Sequence, residues 1–241
     1  MGANIRKEIK MIDTYGKPSD VIEIDSYEAT LENAVAWAKA RGINEMEYSH
    51  TGLQYNVATE RLEGAEATVK LVKAYGEDNE EGVIESLFEL VDSIVDACIF
   101  VLVDTCKIGW VPSELGISMV DRMELPARSA ILDPASSAWF YKSSPYLYYI
   151  LTCRELIVLG FDPDLCFTEA FKEISTRRGK YNKATNKWHK EPVSLADEYK
   201  ADYSKCVYEL DKELIDTIHK LNGFRTNQDS VNDFKALISL Q

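Results

Sequence analysis

Residues 83–103 have the sequence VIESLFELVDSIVDACIFVLV, an almost wholly apolar run that nevertheless carries four acidic residues. These are Glu85, Glu89, Asp92 and Asp96, and their spacings of four, three and four place them on one face of an α-helix. The other positions are mostly Leu, Ile, Val, Phe and Cys. The run therefore predicts a helix that is buried nearly all round and has one acidic stripe.

An acidic stripe on a buried helix needs a positive partner. Like charges on one face repel each other, and each desolvated carboxylate costs several kcal/mol unless it is paired. The stripe contains no lysine or arginine, and its flanking positions are apolar. The alternative is a solvated helix face, but this composition favours a bound divalent cation, and Mg²⁺ prefers oxygen ligands.

A second predicted helix, residues 51–75, carries Glu60, Glu63 and Glu66. The positions around Glu60 at helical spacing are all apolar or small: Val57, Gly64, Ala67 and Leu71. Glu60 therefore lies in an apolar stripe, whereas a solvated position is an equal alternative for Glu66. Inside a helix, Gly64 costs about 1 kcal/mol relative to Ala, which predicts close approach by another helix or a ligand.

The two helices thus offer one pair of carboxylates each, Glu60 with Glu63 and Glu89 with Asp92, both at i, i+3 spacing. Four facing carboxylates cannot all remain charged unless cations lie between them. One or two Mg²⁺ ions held in this way would bridge phosphate oxygens and activate a water molecule. The sequence predicts that the two pairs converge on one metal site.

The rest of the chain is also predicted to be helical, with breaks at glycine and proline. The expected fold class is all-α, a helical bundle with additional helices and a basic loop near its C-terminal end, and no strand series is expected. Further helices are expected over residues 145–160, from Pro163 onward and over about 204–222. The expected units are an N-terminal extension 1–24, a helical core with the metal site 25–108, a helical elaboration 109–203 with the basic loop 174–190, and C-terminal helices 204–241.

Composition narrows the class of protein. The chain of 241 residues is 46% hydrophobic and 28% charged, which is typical of a globular protein. Its net charge of −13 disfavours nucleic acid and anionic membrane as partners. The longest apolar run, 97–103, is too short to cross a bilayer, and no secretory segment is expected. Five cysteines without a CxxC pair predict reduced thiols, mostly in the core of a cytoplasmic protein.

A concentrated basic segment, ISTRRGKYNKATNKWHK at 174–190, contains six Lys or Arg and no acid. The candidates to bind triphosphate oxygens are Arg177, Arg178 and Lys180. Two aromatic residues can stack on a base, Trp188 and Tyr181. The alternative for each residue is a solvated loop. A nucleic-acid patch is disfavoured, because one short loop on so acidic a protein would bind weakly.

Four stretches occur in an informative order: WAKARGI at 37–43, Gln54, ATERLEGAEA at 58–67 and FELVDSIVDACI at 88–99. Within them, ExxE is followed after 25 residues by ExxD. In this order and spacing the chain resembles the MazG-like all-α nucleotide pyrophosphohydrolases, which share a superfamily with dimeric dUTPases and include phage-encoded members. The resemblance covers roughly residues 28–105 and extends to segments near 173–190 and 199–206.

The resemblance implies a MazG-like bundle that hydrolyses a ribo- or deoxyribonucleoside triphosphate between its α- and β-phosphates. The products would be the monophosphate and pyrophosphate. The implied catalytic Mg²⁺ ligands are Glu60, Glu63, Glu89 and Asp92, with Mn²⁺ as an alternative ion. One of these carboxylates, or a neighbour such as Glu85 or Asp96, would act as general base. A homo-oligomer is also expected, in the cytoplasm of the host cell if the chain is phage-encoded.

The chain departs from the family at Thr59, which stands where the family commonly has the first glutamate of EExxE. A register shifted by one residue would place Arg61 and Gly64 at acidic positions, whereas the register with Glu60 and Glu63 keeps both acid pairs intact. Three alternatives follow: a dUTPase- or dCTPase-type enzyme of narrow base specificity, a non-catalytic nucleotide-binding helical protein, and a structural helical protein whose acids face solvent.

Overall fold

The computed structural model describes residues 24–47, 49–108, 145–182, 184–185, 187–191 and 198–207. Helices dominate these residues. They are α1 (Ile24–Ala40), α2 (His50–Gly76), α3 (Glu80–Ile108), α4 (Pro145–Leu159) and α5 (Pro163–Thr176). Two short 3-10 helices, Ile43–Glu45 and Tyr203–Cys206, complete the helical elements in this part of the chain. The expectation of a mostly helical protein is confirmed for the described residues.

The prediction of a basic loop over 174–190 is wrong in part. The first residues of this segment belong to α5, and the segment then forms an antiparallel pair of strands, β1 (Gly179–Asn182) and β2 (Lys187–Lys190). Tyr181 lies opposite Trp188 in this pair. The strands are short and mostly polar, so their sequences carry only a weak strand signal.

Local sequence explains where the helices begin and end. The Ser49 hydroxyl caps α2 by accepting a hydrogen bond from the Gly52 backbone N–H at 3.0 Å. The Asp162 carboxylate caps α5 in the same way and precedes Pro163 at the first helical position. Gly42 follows α1 with a φ of 68°, a conformation that favours glycine. The boundaries predicted for the helices over 51–75 and 145–160, and the start predicted at Pro163, are therefore correct to within about one residue.

Helices α2 and α3 form an antiparallel hairpin, because only residues 77–79 separate them. Residues equally distant from this turn face each other. Gly64 of α2 thus meets Ser93 of α3, whereas nearer the turn the long side chain of Lys70 reaches past the opposite residue, Ser86, to Glu89. A Cβ atom at Gly64 would overlap the Ser93 hydroxyl, so the glycine allows the close helix approach that the sequence predicted.

Helix α3 lies at the centre of the molecule and packs against α1, α2, α4 and α5. From Leu90 to Asp104 every side chain is buried or half-buried, whereas Ile84, Glu85 and Glu89 are exposed. The prediction of a helix buried nearly all round is therefore right for the last two-thirds of the acidic run and wrong for its start.

A fully buried ion pair joins α2 to α4. Arg61 Nη1 lies 2.9 Å from Glu155 Oε2, and Arg61 Nε donates to the Tyr148 hydroxyl at 3.0 Å. Only about 2% of Arg61 and none of Glu155 is exposed. Breaking such a pair on one side leaves an uncompensated buried charge, so it fixes the rotation of α2 relative to α4.

Several expectations concern residues that the structure does not describe. These are 1–23, 109–144 and most of the C-terminal helix predicted over 204–222. The described start of that helix is wrong, since Tyr203–Cys206 is a 3-10 helix and Val207 is extended, forming a β-bridge with Phe161. Among the described helices, none combines the length and the hydropathy needed to span a membrane.

The cysteine prediction holds for four of the five residues. Cys98, Cys153, Cys166 and Cys206 are buried free thiols. The side chain of Cys106 lies outside the described set. Cysteine thus contributes to the core as a small apolar residue.

Candidate active site

The α2–α3 hairpin brings four carboxylates into electrostatic contact: Glu60 and Glu63 from α2, and Asp92 and Asp96 from α3. We call these four residues the acid cluster. Burial raises the pKa of Glu60 to about 8, and repulsion from Asp96, Glu63 and Asp92 contributes in the same direction. Glu60 is therefore mostly protonated at neutral pH.

The two aspartates share this environment. Burial and repulsion by Asp92 raise the pKa of Asp96 to about 7, although the nearby charge of Arg177 opposes the shift. Burial also raises the pKa of Asp92, against a hydrogen bond from Tyr203 that lowers it. The acid cluster thus retains protons at a pH at which isolated carboxylates are ionised.

The rotation of α2 decides which of its acids face α3. Glu60 lies beside Val57, Ala67 and Leu71, all of which are buried, as its apolar surroundings in the sequence predicted. Arg61, one residue on, points instead into the buried pair with Glu155. A register that placed Arg61 in the acidic position is incompatible with this arrangement.

Glu89, predicted as a ligand, lies apart from the acid cluster. Its side chain is 51% exposed, and Lys70 Nζ lies 2.6 Å from its Oε2. Asp96 is two turns farther along α3, about 10 Å at the usual helical rise, and is the aspartate whose charge acts most strongly on Glu60. The structure therefore brings together Glu60, Glu63 and Asp92 of the predicted set and adds Asp96. Glu85, the other suggested general base, is exposed.

Helix α5 supplies a glutamate, and the residue directly after the helix an arginine, that interact with the acid cluster. Arg177 Nη2 lies 2.9 Å from Glu173 Oε1 and 3.7 Å from Asp96 Oδ2. Burial alone would raise the pKa of Glu173, but hydrogen bonds from the Ala201 backbone and from Arg177 outweigh burial and lower it. Arg177 thus neutralises part of the acid cluster from outside α2 and α3.

Residues 198–207 close the other side of the acid cluster. The Tyr203 hydroxyl donates to Asp92 Oδ1 at 2.8 Å, and only 4% of Tyr203 is exposed. Lys200 Nζ lies 3.7 Å from Glu173 Oε1. Sequence reasoning missed Glu173 and Tyr203. The spacing of Glu173 from Arg177 is that of a helical ion pair and was an available signal.

A cavity of about 820 Å³ lies next to the acid cluster. Asp96 and Arg177 form part of its wall, and the aromatic residues that line it are Trp37, Tyr55, Phe100 and Trp188. Apolar and aromatic walls with a few polar groups at one end are typical of a small-molecule pocket. The cavity and the acid cluster thus share a boundary at Asp96 and Arg177.

The antiparallel pair of strands β1 and β2 positions Trp188 in the cavity wall. Its ring lies so close to Gly179 that a Cβ atom there would overlap it. The indole Nε1 of Trp188 and the Nε of Arg177 are both buried without a hydrogen-bond partner among the residues that the structure describes. Two such donors in residues of one cavity wall are consistent with a ligand that carries acceptor atoms.

The predicted substrate-binding residues divide into two groups. Arg177 and Trp188 line the cavity. Arg178 is exposed, and Lys180, whose side chain is 84% exposed, lies 3.2 Å from Glu191. Neither Arg178 nor Lys180 lines the cavity.

The donor chemistry of the acid cluster fits Mg²⁺, because all four side chains offer carboxylate oxygens. Within the described part of the chain, however, no three His, Cys, Asp or Glu side chains are arranged to hold a metal ion. Proteins commonly bind Mg²⁺ through one or two carboxylates, with water and substrate phosphates completing its shell. Binding through one or two carboxylates does not require a preformed cage.

No protein-family model, no curated protein and no solved structure matches this chain. The acid cluster and the cavity beside it are therefore the features that indicate the function of this chain.

Proposed function

We propose that the protein is a Mg²⁺-dependent nucleoside triphosphate pyrophosphohydrolase. The observation that carries the proposal is the convergence of half-buried carboxylates from two helices, Glu60 with Asp92 and Asp96, beside an aromatic cavity that Asp96 lines. A nucleoside triphosphate needs a site that binds cations for its phosphates and an apolar site for its base, and the adjacent acid cluster and cavity would provide them. The resemblance of the sequence to MazG-like enzymes supports the same activity.

The acid cluster would hold the cation through Glu60, Glu63, Asp92 and Asp96. Bound there, Mg²⁺ would supply charge neutralisation on the phosphate chain and a lower pKa for the attacking water. The reaction adds water across the bond between the α-phosphorus and the bridging oxygen, giving the monophosphate and pyrophosphate. We place Asp96 in this set ahead of Glu89, because Glu89 is exposed and paired with Lys70.

Asp96 is the favoured general base. A base operates best when its pKa lies near the working pH, and that of Asp96 is about 7. Its carboxylate also lies at the boundary with the cavity, where the phosphate chain must pass. Asp96 would accept a proton from water as the new bond to phosphorus forms.

Arg177 and Trp188 have separate roles in substrate binding. Arg177 stands between the acid cluster and the cavity, so its guanidinium can exchange Glu173 for phosphate oxygens. Trp188 presents an aromatic ring in the cavity wall, on which a base of any identity can stack. Arg178 and Lys180 would contribute to substrate binding only through the electrostatic attraction of their positive charges for the phosphates.

A second candidate is a nucleotide-binding protein without turnover. It is favoured by Thr59, which stands in place of an acid, and by the absence of a preformed three-ligand group in the described residues. Such a protein would bind a nucleotide and a cation without releasing pyrophosphate.

Pyrophosphate release tests the proposal across a panel of ribo- and deoxyribonucleoside triphosphates with Mg²⁺ and, separately, Mn²⁺. We expect release by the wild type, and at least about a 100-fold loss in Asp92→Asn. Release restricted to one pyrimidine deoxynucleotide would identify the narrow-specificity dUTPase or dCTPase type. Nucleotide binding without any release would establish the second candidate.

A further inference from the structure

Residues 198–207, which we call the docking segment, cross from α5 to α3. Tyr203 is the residue through which the segment reaches Asp92 of α3. The phenol is buried, and its partner belongs to the acid cluster. The segment is therefore part of the site even though it contributes no carboxylate to the acid cluster.

One end of the docking segment is held by two glutamates of α5. Glu169 accepts hydrogen bonds from the Tyr199 hydroxyl and, at 3.2 Å, from the backbone N–H of Asp202. Glu173 accepts one from the backbone N–H of Ala201 at 2.9 Å. Glu169 and Glu173 are one helical turn apart, so α5 fixes the backbone immediately before Tyr203.

The other end is held by the loop before α5. The Asp162 backbone N–H donates to the Cys206 carbonyl at 2.9 Å, and Val207 forms a β-bridge with Phe161. Only 1% of Cys206 is exposed. With both flanks anchored, the Tyr203 phenol has little freedom, and the entropy of ordering it is lost on folding rather than on ligand binding.

A neutral donor on one oxygen of a carboxylate orients the other oxygen without cancelling its charge. Tyr203 donates to Asp92 Oδ1, which leaves Oδ2 for another partner. Lys70 beside Glu89 has a different effect, because an ammonium group competes with a cation for the same charge. Hydrogen bonds of the first kind are typical of the residues that surround metal ligands in proteins.

We infer that Tyr203 is a positioning residue, whose phenol fixes the Asp92 carboxylate for cation binding. The inference rests on the proposed function, since it takes Asp92 as a cation ligand. Tyr203 does not contact the substrate or the cation in this account. It acts through Asp92, and its loss weakens cation binding.

The test compares two phenols of the same segment in the full chain. Tyr203→Phe removes the donor to Asp92, whereas the control Tyr199→Phe removes a donor to Glu169, outside the acid cluster. Binding of Mn²⁺ alone is measured from the free-ion signal in electron paramagnetic resonance. We expect about 10-fold weaker binding in Tyr203→Phe, the low end for residues that orient metal ligands, and a change below about 2-fold in Tyr199→Phe.

Folding is checked by thermal melting of each variant. Mn²⁺ binding by Tyr203→Phe is measured below its melting transition, so that a less stable variant still tests the hydrogen bond. If the wild type binds Mn²⁺ and releases pyrophosphate while Tyr203→Phe binds equally well, this inference is overturned and the proposed function stands. A wild type that binds neither Mn²⁺ nor Mg²⁺ would overturn both.

Discussion

The environment of Glu60 is informative about the function of the acid cluster. Its carboxyl lies in an apolar helix stripe and faces two aspartates, so burial and repulsion both favour the protonated form. A structural glutamate would be better replaced by glutamine, which has the same shape and no charge. A carboxyl group in an environment that disfavours its charge is typical of a functional site.

The replacement Glu60→Gln should stabilise the protein at alkaline pH. The pKa of Glu60 is 4.5 when unperturbed and about 8 in the folded chain, so the folded state binds this proton more tightly. Stability therefore falls as pH rises from about 4.5 to 8 in the wild type, and glutamine avoids this loss. At pH 8 we expect a gain of about 1–3 kcal/mol after discounting for partial exposure, and at pH 4.5 almost none.

Urea denaturation at the two pH values measures the difference. Glu85→Gln is the matched control, because it removes one negative charge from an exposed position on α3. A Glu60→Gln chain that is less stable than the wild type at pH 8 would show that the cluster is not under electrostatic strain.

The α2–α3 hairpin is the element that assembles the site, and much of it was predictable. The apolar stripes predicted two long helices, over 51–75 and 83–103, and the structure confirms them as α2 and α3. A short turn also dictates which residues face each other. Counting outward from residues 77–79 places Asp96 opposite Glu60 and Glu89 opposite Ala67, so this geometry could have identified Asp96 from sequence.

Other parts of the site were less predictable, for physical reasons. The strands β1 and β2 are polar and four residues long, and they gain stability from tertiary contact of Trp188 with the core rather than from propensity. The contact of Tyr203 with Asp92 joins residues 111 positions apart, which no local pattern encodes. Long-range polar contacts of this kind depend on the whole fold.

The close contact of Gly64 with Ser93 is expected to couple the two helices energetically. Gly64→Ala gains helix propensity but places a Cβ atom against the Ser93 hydroxyl. In a Ser93→Ala background that hydroxyl is absent, so the same substitution should be better tolerated by about 0.5–2 kcal/mol. A double-mutant cycle of chemical denaturation measures the coupling. Additive effects would mean that the helices separate freely at this point.

The whole molecule is strongly acidic, with a net charge of −13, yet the proposed substrate is an anion. Binding must therefore depend on local positive charge, which Arg177, Lys200 and a divalent cation would provide. Because the acid cluster retains protons near neutral pH, cation binding must displace them.

Mg²⁺ affinity should accordingly rise with pH. The pKa values of Glu60 and Asp96 are about 8 and 7, so protons compete with the cation at pH 6 and hardly compete at pH 8.5. Isothermal titration calorimetry in buffers of different ionisation enthalpy would detect both the rising affinity and the released protons. Affinity that is independent of pH between 6 and 8.5 would place the cation outside the acid cluster.

The role of the acid cluster in catalysis is tested by comparing pyrophosphate release by Asp96→Asn and Glu89→Gln at saturating Mg²⁺. Each variant removes one charge from the same helix face, two turns apart. The acid cluster, with Asp96 as base, predicts a loss of about 100-fold or more in Asp96→Asn and less than about 3-fold in Glu89→Gln. Full activity in Asp96→Asn, together with a large loss in Glu89→Gln, would contradict the account and place the catalytic carboxylates nearer the α2–α3 turn.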